Sequence, residues 1–177
     1  MSSAIGIDLG TTSACAAHLG AQGIRFLCPV PEGIPAILAF NDAGELLVGT
    51  AAKAHLREFP ASGISASKRL IGKKANNVAQ QVRQLFTYEL EDGEDDDLLI
   101  RIQDTVMTLT HITAAILGEV KRLAEIELDQ PITEAVITVP AYFNQRQREA
   151  VRSAAKAADL TVLSLLNEPT AAALAYG

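Results

Sequence analysis

Ile5-Gly6-Ile7-Asp8-Leu9-Gly10-Thr11-Thr12-Ser13 opens the chain as an apolar strand that breaks at a glycine followed by three hydroxyl residues. Ile5, Ile7 and Leu9 alternate with Gly6 and Asp8, the two-residue period of a strand with one buried face. Beyond the break, Ala14-Cys15-Ala16-Ala17-His18-Leu19 resumes a strand-like run, so the pair predicts a hairpin. A tight glycine-bearing turn presents successive backbone N–H groups, and the hydroxyls of Thr11 and Thr12 add donors, a combination suited to phosphate oxygens. Asp8 at the strand end faces the same place, where its carboxylate repels phosphate unless a cation lies between them. Hydrated Mg2+ bridging Asp8 and the phosphates resolves that conflict. The candidate ligands are therefore Asp8 for metal, through water, and Gly10, Thr11, Thr12 and Ser13 for phosphate. The same residues also fit a plain hairpin whose Asp and Thr side chains satisfy their own turn.

Outward from this stretch, a second turn at Gly20-Ala21-Gln22-Gly23 leads into Ile24-Arg25-Phe26-Leu27, giving a three-stranded antiparallel meander. Strands over residues 36–40 and 45–48 flank the turn Asn41-Asp42-Ala43-Gly44, and a helical pattern over 50–59 stops at Pro60. Residues 61–110 are least regular, with a short helix near 78–85 and strands at 86–90, 98–102 and 106–109. Among them Glu91-Asp92-Gly93-Glu94-Asp95-Asp96-Asp97 packs six acids into seven residues; it reads as a solvated loop and lacks the alternating spacing of an EF-hand.

Helix and strand then alternate: helix 112–128, strand 135–139, helix 145–158, strand 161–165, helix 169–176. Such alternation implies crossovers and parallel strands, hence an α/β class with a mixed five-stranded sheet and a small α+β insertion. Asn144 is placed to cap the middle helix with Gln147 reaching back to it. Pro169 suits a first helical residue, and Gly177 a C-terminal cap.

The composition, 49% hydrophobic and 20% charged over 177 residues, is that of a globular protein. A net charge of -6 removes the broad basic field of a nucleic-acid binder. No stretch reads as membrane-spanning, and Met1-Ser2-Ser3-Ala4 lacks the features of a signal peptide, so a soluble cytoplasmic protein is expected. Cys15 and Cys28 have no metal-partner spacing and read as reduced buried thiols. His18, His55 and His111 are scattered singly and read as packing or surface residues.

Neither GxxxxGK[ST] nor GxGxxG occurs, so a phosphate site here needs another nucleotide fold. The opening stretch resembles the first phosphate motif of the actin-like ATPase superfamily, which includes actin, sugar kinases and heat-shock chaperones. Three later blocks, in order, resemble the seventy-kilodalton heat-shock (DnaK-type) chaperones. They are Lys68-Arg69-Leu70-Ile71-Gly72, Ala135-Val136-Ile137-Thr138-Val139-Pro140-Ala141-Tyr142-Phe143-Asn144, and Leu166-Asn167-Glu168-Pro169-Thr170-Ala171-Ala172-Ala173-Leu174-Ala175-Tyr176-Gly177.

The resemblance implies a ribonuclease-H-like core over residues 1–35 and 111–177, an inserted subdomain over 36–110, and ATP or ADP with Mg2+ as cofactors. It implies that Lys68 meets the terminal phosphate and attacking water, and that Glu168 and Asp8 act near the metal. Pro140 and Arg148 would relay nucleotide state. It further implies unfolded client peptides, a J-domain protein and a nucleotide exchange factor as partners. Read alone, Lys68 beside Arg69 is a solvated basic pair, Glu168 a helix-start acid, Pro140 a strand stop and Arg148 a helix-surface charge.

Three departures stand out. Glu32-Gly33-Ile34-Pro35-Ala36 is shorter than the family's stretch after the third strand and lacks its arginine; Ser164 replaces an arginine associated with J-domain contact; Gln145 replaces an aspartate. The sequence stops at Gly177, before the family's second phosphate motif, so the expectation is half a cleft: weak nucleotide binding, negligible ATPase activity and self-association through exposed apolar surface. The alternatives are a carbohydrate kinase sharing residues 8–13, and a non-catalytic binding module.

Overall fold

Strand β1 (Ser3–Leu9) pairs antiparallel with β2 (Ser13–Gly20), which turns back into β3 (Gly23–Phe26). The structure is a computed structural model describing residues 3–29 and 31–176; Met1, Ser2 and the expected cap Gly177 lie outside the described residues. The predicted period holds in β1: Ile5, Ile7 and Leu9 are buried, whereas Ala4, Gly6 and Asp8 are exposed on the other face. The two-residue β4 (Ile34–Pro35) pairs with Ser13 and Ala14 of β2.

Next, β5 (Ile37–Phe40), β6 (Leu46–Val48) and β7 (Gly63–Ser65) form a separate antiparallel sheet, ordered β6-β5-β7. Between β6 and β7 lies α1 (Thr50–His55). It ends before residue 59 because Arg57 and Glu58 bond back to Ala54 and His55 in tighter turns ahead of Pro60. After α2 (Gln80–Arg83), a third sheet of β8 (Glu89–Asp92), β9 (Leu98–Ile102) and β10 (Thr105–Thr108) is ordered β10-β9-β8. Strand β8 starts later than residue 86 because the Phe86 and Tyr88 rings pack together at 5.0 Å and Tyr88 donates its hydroxyl to Ser65 O at 2.8 Å.

The acidic run is not a freely solvated loop. Glu91 pairs with Arg101 across β8 and β9, Asp92 with Arg83 at 2.6 Å, and Asp97 with Arg146 at 2.6 Å. Asp96 accepts from the backbone N–H of Asn76 at 2.9 Å. Among the described residues, no three His, Cys, Asp or Glu side chains converge as a metal group.

Helix α3 (Leu109–Leu128), β11 (Ile132–Val139), α4 (Gln145–Ala157), β12 (Thr161–Asn167) and α5 (Glu168–Tyr176) complete the chain. Strands β1, β11 and β12 run parallel, and the main sheet is ordered β12-β11-β1-β2-β3 with β4 beside β2. Among the described residues it therefore has six strands where the sequence pattern predicts five; β4 is too short to show a period. Buried Ile112, Ile116 and Val120 of α3 and Val151 and Ala155 of α4 join Ile5, Ile7 and Ile137 of the sheet in one core. Each buried aliphatic side chain contributes about 1.5–3 kcal/mol. Asn144 and Gln147 form the predicted capping box at α4, while α5 begins one residue before Pro169.

The expectation of two reduced thiols is corrected. Cys15 and Cys28 are joined in a disulfide, with Cα atoms 5.7 Å apart. Ala17 faces Phe26 in the β2–β3 register, and continuing that register two residues outward sets Cys15 opposite Cys28. Among the described residues, no helix is long and apolar enough to cross a membrane.

Candidate functional site

The C-terminal ends of the parallel strands β1, β11 and β12 lie at one edge of the sheet, the position where open α/β sheets gather ligands. Asp8 sits at that edge of β1. Its register partner Thr138 on β11 donates its hydroxyl to Asp8 Oδ1 at 2.6 Å, which fixes the carboxylate's orientation. A carboxylate offers about four lone-pair sites, so acceptor capacity remains for a cation's water shell.

The following turn closes tightly at Gly10, where an added Cβ would stand 2.3 Å from the carbonyl oxygen of Ser13. Only glycine accommodates that approach. Thr11 is half-buried and Thr12 exposed, and the Thr12 carbonyl accepts from Ala36 N–H at 2.9 Å. Gly10 and Thr11 reach the cavity described below; Thr12 and Ser13 are not among its lining residues.

Lys68 arrives from the separate segment between β7 and α2. It lies in a 3-10 turn, Ser67–Arg69, entered through Ala66 at φ 56°, a left-handed conformation that costs a non-glycine residue about 1–2 kcal/mol. Fully buried Leu70 and Ile71 anchor the turn's exit. Lys68 is only 8% exposed, yet its Nζ donates to Glu168 Oε1 at the start of α5. The bland expectation of a solvated Lys68–Arg69 pair does not describe it.

These groups line one open cavity of about 480 Å3, to which Asp8, Gly10, Thr11, Lys68 and Glu168 all contribute. Pro140, directly after β11, lines it as well. Arg148 does not: its Nε donates to Phe143 O at 3.1 Å and its guanidinium to Asn167 Oδ1 at 2.7 Å, one residue from Glu168. Thr138, Tyr142, Ala171 and Ala172 line the cavity without having been singled out by sequence. Two carboxylates against one ammonium leave the cavity with an excess negative charge. That balance, with the constrained Asp8 carboxylate, fits a hydrated divalent cation accompanying an anion.

A hydroxyl-bearing hairpin loop, a strand-end carboxylate and a nearly buried lysine thus surround one opening on an α/β sheet. The model of the family described as Hsp70 protein matches residues 4–177, and the chain belongs to that family. The domain carries the actin-like ATPase fold, and family members generally bind ATP or ADP with Mg2+ and work with client peptides, J-domain proteins and exchange factors.

Proposed function

We propose that this chain supplies the phosphate-and-metal wall of an Hsp70 ATPase site in an ATP-driven protein-folding cycle. One observation carries the reading: Lys68 and Glu168, a hundred residues apart, meet at the cavity that also holds Asp8, Gly10 and Thr11. In this reading Asp8 holds Mg2+ through water, which offsets phosphate charge, and the Gly10–Ser13 loop donates N–H and hydroxyl groups to phosphate oxygens. The Lys68 ammonium faces the terminal phosphate and the attacking water, where a preorganised positive charge is most effective. Glu168 orients water beside the metal. Pro140 at the cavity rim and Arg148 bound to Asn167 relay the state of the site.

The strand order, an antiparallel meander followed by two parallel strands, supports a ribonuclease-H-like core over residues 1–35 and 111–177. The two smaller sheets support an inserted unit over residues 36–110. Leu19 and Ile24, register partners on β2 and β3, are 75% and 70% exposed and support self-association, which light scattering measures. A strictly monodisperse monomer at high concentration contradicts it.

The contacts assigned in this reading are to phosphate and metal, so weak affinity is expected, each ~1.4 kcal/mol of contact being worth tenfold. The test is thermal unfolding with MgADP, with ADP plus chelator, and with the Asp8→Asn variant. The midpoint rises only for the unaltered chain with MgADP present. A rise that survives both chelation and Asp8→Asn contradicts the assignment, and calorimetric micromolar affinity contradicts the weak grip.

A further inference from the structure

We propose that Gln147 is a positioning residue that holds the Lys68 loop in place. Gln147 is 6% exposed and lies in the first turn of α4. Its Oε1 accepts from the backbone N–H of Asn144 at 3.2 Å, and its own N–H donates to Asn144 Oδ1 at 3.0 Å. That capping box uses only the oxygen of the side-chain amide, so glutamate serves it as well. The amide nitrogen does something else: Nε2 donates to the carbonyl of Ile71 at 3.2 Å, across a separation of 76 residues. A glutamate has no donor for that carbonyl.

The two backbones touch at the same place. Gly72 has φ 66°, and a Cβ there would fall 2.6 Å from Gln147 Cα and 3.0 Å from its N. The chain leaving Lys68 thus rests directly on the first turn of α4 at Ile71 and Gly72, three and four residues after the lysine. The next residue along α4, Arg148, binds Asn167, the residue before Glu168, at 2.7 Å. Neighbouring side chains of one helical turn therefore hold both segments whose charges pair at the cavity. Loss of the Nε2 bond leaves α4 capped but frees the loop, and Lys68 loses its fixed approach to the opening. The consequence for phosphate chemistry rests on the role proposed for Lys68; the placement does not.

The variant Gln147→Glu keeps the cap and removes the donor. Lysine amines are labelled by reductive methylation and followed residue by residue by mass spectrometry. In the unaltered chain Lys68 labels at least about tenfold more slowly than exposed Lys53 and Lys156. In Gln147→Glu its rate rises at least about fivefold while theirs stay constant. A folded Gln147→Glu with Lys68 as protected as before overturns the proposal. Should that variant unfold, hydrogen exchange of the Gln147 side-chain amide in the unaltered chain decides. Exchange slower than that of exposed Gln80 and Gln84 supports the bond, and equal exchange overturns it. Neither readout involves nucleotide, so a positioned Lys68 in a chain that binds no phosphate would refute the proposed function alone.

Discussion

Lys68 and Glu168 pair at the rim of the cavity, yet their surroundings differ: Lys68 is 8% exposed, whereas the Glu168 side chain is 40% exposed. Water reaches the carboxylate, so the pair itself adds little stability, at most about 1 kcal/mol. Its value lies in placement. Glu168→Gln is expected to lower unfolding free energy by about 1–3 kcal/mol in urea titration, because it leaves the nearly buried Lys68 ammonium without its charged partner. Under the proposed function, Lys68→Met is expected to lower ATP turnover by about a hundredfold or more, the scale for removing one preorganised charge-stabilising group. Unchanged single-turnover hydrolysis in Lys68→Met contradicts its role.

Gly10→Ala tests the loop. The new Cβ would lie 2.3 Å from the Ser13 carbonyl, a backbone atom that cannot swing aside as a side chain can. The expected cost is about 1–3 kcal/mol with loss of the MgADP-dependent rise in melting temperature. An unaltered rise shows that phosphate does not contact this turn.

Gly72→Ala tests the contact between the Lys68 segment and α4. It combines a left-handed φ of 66° with a Cβ 2.6 Å from Gln147 Cα, so the expected loss is about 2–4 kcal/mol. Gly44→Ala, at φ 76° with open space around it, carries strain alone and should lose only about 1 kcal/mol. Equal losses in denaturant titrations would show that the close approach to α4 contributes nothing.

Tyr88 supplies a pH signature. Burial pushes its hydroxyl well above the ordinary value near 10, because the charged phenolate is disfavoured inside. The folded form therefore keeps its proton after the unfolded chain has released it. The resulting stability is complete below about pH 10 and declines as pH rises further, by up to about 1.4 kcal/mol per unit. Tyr88→Phe loses the 2.8 Å bond to Ser65 O, about 1 kcal/mol at neutral pH, and lacks this alkaline decline. Melting curves of the two proteins should converge between about pH 9 and pH 11; parallel curves contradict the burial effect.

Much of this architecture was legible because local chemistry and global fold agree. The alternation of Ile5, Ile7 and Leu9 marks a one-faced strand, and Asn144 with Gln147 marks a helix start, both matched in the structure. What escaped depends on register or distance. Strands of two and three residues, β4 and β7, are too short to carry a period. The Cys15–Cys28 pairing was encoded in the hairpin register about the Gly20–Gly23 turn, but cysteine spacing alone pointed to free thiols. The acids of residues 91–97 find Arg83, Arg101 and Arg146 only once the chain has folded, the last from α4. Thr138 meets Asp8 through a parallel register that a single sequence does not reveal. Gln147 was visible as a cap, whereas its bond to Ile71 was not.

In the proposed function, Asp8, the Gly10–Ser13 loop and Lys68 form one Mg2+-dependent phosphate surface. Its most direct test is a titration of the isotope-labelled chain with MgATP, followed by amide and lysine resonances. Shifts confined to residues 8–13, Lys68 and Thr138 are expected at millimolar ligand, abolished by chelation and by Asp8→Asn. Shifts elsewhere on the chain, or the same shifts without Mg2+, would contradict it.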